Sequence, residues 1–111
     1  MEGESITVFR SRLRDGYPVE RYSEVAADLE ARAAAAPGHV ELKEFVAADG
    51  ERLALVTFAS AEAEAAWRDD PDHRAAQQEG RDAFYSEYDV AVCEVQHRHR
   101  WHIGSGVRRA E

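Results

Sequence analysis

Two runs in this chain are apolar on both sides at once, and that limits what the chain can fold into. In residues 52–59, RLALVTFA, Leu53 and Leu55 face one way while Ala54, Val56 and Phe58 face the other. In residues 88–97, YDVAVCEVQH, Val90 and Val92 oppose Ala91, Cys93 and Val95. Successive side chains of a strand point to opposite faces, so a sheet built from such runs needs cover on both sides. The chain has 111 residues, enough for one domain, and its pattern holds helices enough to cover one face only. The simplest cover for the second face is another copy of the same sheet, which predicts a two-fold homodimer packed sheet to sheet.

The remaining elements follow from local signals. Residues 5–13, SITVFRSRL, read as a first strand ending before the Asp15-Gly16 turn. Tyr22, Val25, Ala26, Leu29, Ala33 and Ala36 recur at helical spacing, and Pro37-Gly38 stops that helix. Residues 39–47 and 52–59 flank Asp49-Gly50, a dipeptide that tolerates the positive φ of a tight hairpin, so they are expected to pair antiparallel. Ser60 caps a short helix through Ala61 to Arg68, and Asp70-Pro71 restarts a helical course. Residues 88–97 form the last strand, with a course that can run on towards Trp101. Strand, helix, strand, strand, helix, strand is the order of a ferredoxin-like βαββαβ protomer of the α+β class. Residues 1–103 are expected to form this single domain, and residues 104–111, with Gly104, Ser105 and Gly106, a flexible tail.

Composition excludes several functions. Residues 1–96 carry 10 Lys and Arg against 21 Asp and Glu, a balance of −11, which repels nucleic acid phosphates. Residues 97–111 carry 4 against 1, a balance of +3, so the tail suits an acidic surface such as this body or a second copy. No apolar run approaches a bilayer span, and MEGESITV lacks a secretory pattern, so a cytoplasmic location is expected. Cys93 is the only cysteine and is expected as a reduced, packed thiol. No zinc-site spacing and no phosphate-binding glycine loop occurs, so no metal is expected. His97, His99 and His102 suit an adventitious metal or, more simply, a polar edge or frayed tail.

The helix begun at Pro71 carries the chemistry. His73, Gln77, Arg81 and Phe84 or Tyr85 recur at spacings of three and four and therefore share a face, while Ala76, Gly80 and Ala83 form a small-residue face. Imidazole, amide and guanidinium groups on a covered stripe suggest a pocket wall; the alternative is a solvated helix face on which Arg81 pairs with Glu87 or Asp82. Trp67 reads equally as a packing anchor or as an aromatic wall.

The runs VFRSRLRDGY and AWRDDPDHRAAQQEGRDAFYSEYDVAVCEV, with the helix ending in APG and the DG hairpin between them, resemble the antibiotic biosynthesis monooxygenase domain of the dimeric α+β barrel superfamily. The likeness covers roughly residues 6 to 98. It implies a ferredoxin-like protomer whose sheet packs on its partner's, and an activity among cofactor-free oxygenases of small aromatic or polyketide-type substrates, haem-degrading enzymes or non-catalytic ligand-binding and stress-related modules. For the cofactor-free chemistry it implies Trp67, Tyr85 and Phe84 as substrate-binding walls, His73 for proton transfer, and Arg81 with Gln77 for oxyanion stabilisation. For haem degradation it matches Trp67. The haem-ligating His of those enzymes would fall about one turn beyond His73, where this chain reads Ala75-Ala76-Gln77, and their first-strand Asn has no match in VFRSRL. A cofactor-independent monooxygenase is thus the expected function, with a haem-binding monooxygenase and a non-catalytic dimer as alternatives.

Overall fold

A computed structural model describes residues 3–104. The first strand, β1 (Ser5–Leu13), is followed by α1 (Val19–Ala35), the hairpin of β2 (His39–Val46) and β3 (Arg52–Phe58), then α2 (Ala61–Arg68), α3 (Pro71–Glu79), a π-helical turn (Gly80–Phe84) and β4 (Tyr85–Glu94). The strands form one antiparallel sheet in the order β2-β3-β1-β4. This is the α+β, ferredoxin-like arrangement that the element order predicts. The greater part of the expected tail lies outside the described residues.

The boundaries are fixed by the expected chemistry. Ser60 Oγ accepts from the Ala63 N–H at 3.1 Å, and Asp70 Oδ1 accepts from the N–H groups of Asp72 and His73 at 2.9 and 3.0 Å. Each cap satisfies backbone donors that a helix start leaves orphaned. Gly50 takes φ +92° in the hairpin loop, whose ends are joined by the Ala47 N–H to Glu51 carbonyl bond at 2.8 Å. Gly38 ends the α1 connection at φ +82°, where a Cβ would also meet the Ala63 Cβ at 2.6 Å. Two constraints therefore select glycine at this position.

β4 departs from the sequence reading. It starts at Tyr85, not Tyr88, and ends at Glu94, although Val95 continues to pair with Gly3 and Glu4 through backbone bonds. The third helix stops at Glu79 and the chain widens into the π-turn, closed by the Tyr85 N–H to Gly80 carbonyl bond. Arg14 holds this turn from outside, donating to the carbonyls of Arg81, Asp82 and Tyr85 at 2.6–3.2 Å. Cys93 is exposed in the protomer and not packed, because it lies on an edge strand and points away from the helices.

Register sorts the two faces. Thr7, Phe9, Ala54, Val56, Val90 and Val92 face the helices; Ile6, Val8, Leu53, Leu55, Ala91 and Cys93 face away, with Val8 set between Leu55 and Ala91. Only Ala33, Phe58 and Phe84 are fully buried apolar residues among those described. Such a small core reflects a space left open between the helices and the sheet.

Candidate functional site

That space is a cavity of about 180 Å³. An engineered protein cavity of roughly 150 Å³ takes up benzene, so this one seats one or two rings. Its floor is the first sheet face, with Phe9, Ala54 and Val56 at the centre. Its roof is built from Tyr22, Val25 and Leu29 of α1, Trp67 of α2, and His73 and Gln77 of α3. Phe84, Tyr85 and Tyr88 close one side.

His73 and Trp67 form a stacked pair, with ring centroids 4.5 Å apart and planes inclined by 24°. Trp67 in turn lies against Phe58, 6.4 Å between centroids. His73 is placed by the Asp70 cap, which fixes its backbone N–H, and its Nδ1 is buried with no hydrogen-bond partner among the described residues. Burial pushes the imidazole below its ordinary value of 6.5, against the opposing pull of the Arg68 and Trp67 backbone and of Asp70. A histidine so held stays neutral at physiological pH and keeps a lone pair free, which is what a proton acceptor requires.

The aromatic side owes its shape to the π-turn. Phe84 goes into the core, and Tyr85 packs edge-on against Phe9 at 5.5 Å and Tyr88 at 5.8 Å. Its ring occupies room that only a glycine at position 80 leaves: a Cβ there would stand 2.6 Å from Tyr85 Cε2. Burial pushes the Tyr85 phenol upward, as it does that of Tyr22. Both hydroxyls therefore remain neutral donors across the physiological range.

Of the residues singled out from sequence, Trp67, His73, Gln77, Phe84 and Tyr85 are brought together around this cavity. Arg81 is not. It stands at the exposed π-turn, and its guanidinium donates to the Tyr88 hydroxyl at 2.7 Å and to Gln78 Oε1 at 2.6 Å. The early start of β4 brings Tyr88 within its reach, and Tyr88, not Arg81, lines the cavity. Sequence reasoning also missed Tyr22, whose hydroxyl is the one polar group in the apolar stripe of α1. It missed Glu64, a buried carboxylate on the cavity wall bonded to Arg68 at 3.1 Å. The i, i+4 spacing of Glu64 and Arg68 was the available signal.

The residues present do not fit a haem. The cavity is too small for a macrocycle, and the residue one turn beyond His73 is Gln77, a poor ligand for haem iron. No group of three or more metal-binding side chains occurs among the described residues, and none of their helices is long and apolar enough to cross a membrane.

No protein-family model matches the chain. The uncharacterized protein YqjZ of Bacillus subtilis (strain 168) is 32% identical over 74 residues, covering 67% of this chain and 65% of YqjZ, so the match spans just under two thirds of that relative's length. Among solved structures, SnoaB from Streptomyces nogalater, a cofactor-independent oxygenase, aligns over 86% of this chain and 96% of its own with a TM-score of 0.72 at 18% identity. Rv0793 from Mycobacterium tuberculosis aligns over 86% and 97% with a TM-score of 0.73 at 16% identity. A protein of Nitrosomonas europaea provisionally assigned as an antibiotic biosynthesis monooxygenase aligns over 86% and 92% at 0.71, with 10% identity. The chain therefore shares its ferredoxin-like fold with these proteins.

Proposed function

We propose that this protein is a cofactor-independent monooxygenase of small aromatic substrates. The observation that carries the reading is the Trp67–His73 pair, a stacked platform and a half-buried imidazole whose Nδ1 is shielded from solvent, on the wall of an apolar, aromatic-lined cavity. The fold shared with SnoaB, itself described as a cofactor-independent oxygenase, supports it.

In this reading a substrate with an acidic ring C–H or O–H lies against Trp67, and His73 accepts its proton. The resulting carbanion supplies the electrons that reduce dioxygen. For a ring CH₂ the balance is CH₂ + O₂ → C=O + H₂O: one oxygen atom enters the new carbonyl and the other leaves as water with both hydrogens. The apolar walls favour this chemistry because they limit the water that reaches the anion, while Gln77 and the ordered Tyr88 hydroxyl supply donors for the developing oxyanion.

The outward sheet face, with Ile6, Val8, Leu53 and Leu55 at its centre, we assign to a homodimer contact, since these aliphatic side chains point away from the helices that cover the other face. Oxygen uptake with a panel of naphthols, hydroquinones and anthrones tests the activity. Turnover of at least one, with loss in His73→Ala, is expected; turnover unaffected by that substitution removes His73 from the mechanism.

A further inference from the structure

A second recess, of about 30 Å³, borders the main cavity at Tyr85; it shares Phe9, Tyr22, Glu44, Ala54 and Tyr85 as walls and adds Arg52 and Ser11. That volume is about what one water needs. Arg52 and Phe58 lie on the same face of β3, six residues apart, or about 20 Å of strand. Phe58 underlies Trp67 at one end, and the Arg52 guanidinium lies 5.9 Å from the Tyr22 ring at the other. The slot thus has two poles, His73 at one end and a cluster of one cation, one carboxylate and two phenols at the other.

We infer that this distal recess is a specificity site for an uncharged oxygen substituent of the substrate, a phenolic hydroxyl or a ring carbonyl, held between Arg52, Tyr22, Tyr85 and Glu44. The geometry favours a neutral group for a stated reason. Tyr22 and Tyr85 stand ring edge to ring face, 6.4 Å between centroids, so both phenols border the same small space. The recess lining carries one cation, Arg52, and one carboxylate, Glu44, so its formal charges cancel. A hydroxyl can accept from Arg52 or a phenol and donate to Glu44; a carboxylate can do only the first and meets Glu44 at short range. A bare hydrocarbon would enter the slot but leave the recess polar groups without a substrate partner.

The inference rests on the cavity reading proposed above but not on turnover, so it is tested by binding alone. The probes are 4-phenylphenol, biphenyl and 4-phenylbenzoate, matched in length and shape, titrated calorimetrically into the full chain. The phenol is expected to bind at least about tenfold more tightly than biphenyl and than the benzoate. Arg52→Gln is expected to remove most of that preference while leaving biphenyl affinity within about twofold, and Tyr85→Phe to reduce the preference as well. Glu44→Gln is expected to bring the benzoate up towards the phenol. Equal binding of phenol and biphenyl, or a preference that survives both Arg52→Gln and Tyr85→Phe, would overturn the recess while leaving the cavity reading intact. Binding of none of the three probes would overturn both. Circular dichroism of each variant separates misfolding from loss of the contact, and the more conservative Arg52→Lys should retain part of the preference only if a cation in the recess is what matters.

Discussion

The two faces of the sheet are made from the same four strands and the same β-branched and aliphatic stock, yet they are finished differently. On the helix side, aromatic residues and a few polar groups surround an open space: Phe9, Tyr22, Tyr85, Tyr88, Trp67 and His73. On the far side Ile6, Val8, Leu53 and Leu55 form an aliphatic centre, bordered by the Arg10–Glu51 and Arg12–Asp49 ion pairs. Aromatic walls with sparse polar groups suit a planar ligand, whereas a flat aliphatic patch with a charged rim suits another protein surface. A single strand pattern therefore yields two chemically different faces, and the alternation of side chains keeps them apart.

Substitutions on each face can break that division of labour. His73→Ala should have the largest effect, cutting turnover of a true substrate by about a hundredfold or more, the low end for removing a general base. The substitution also removes the stack on Trp67, so a fall of a few degrees in melting temperature is expected in differential scanning calorimetry, with the folded dichroism spectrum retained. On the opposite face, Leu55→Asp places a charge beside Val8 and should turn the dimer into a protomer at micromolar concentration in sedimentation. A dimer that survives would locate the contact elsewhere.

Smaller effects sharpen the cavity side. Gly80→Ala puts a Cβ 2.6 Å from the Tyr85 ring, which is hemmed in by Phe9 and Tyr88 and cannot retreat freely. Weakening of aromatic ligand binding by about tenfold is expected, with a stability loss of about 1–3 kcal/mol from overpacking. The pH dependence should be the most modest change. The His73 imidazole in the folded chain has its proton affinity lowered from 6.5, so the unfolded chain binds more protons just below that pH. Stability should therefore be flat with respect to this group above about 6.5 and decline as pH falls towards the lowered folded value. His73→Gln should remove that part of the slope, visible in denaturant midpoints compared at pH 7.5 and 5.5.

Much of the fold was legible because each boundary has a local chemical cause. Ser60 and Asp70 cap as their side chains dictate, and Gly50 turns the hairpin. The candidate site was legible as far as Gln77, where helical spacing holds. Beyond it the π-turn adds a residue that no periodicity foretells, and this moved Tyr85 into β4 and Arg81 out of the wall. The turn depends on Arg14, seventy residues away in sequence, donating to its carbonyls, and such a tertiary bond leaves no trace in a local pattern. Tyr22 stayed hidden for the opposite reason: in an apolar stripe its ring looks like packing, and only the fold reveals its hydroxyl at the recess.

Oxygen uptake by the intact protein with small hydroxylated aromatics, run beside His73→Ala of the same oligomeric state, tests the central claim most directly. The account predicts one O₂ consumed per substrate oxidised in the parent protein and near-background rates in the variant. Equal rates in the two proteins, or no uptake with any member of the panel, would contradict it.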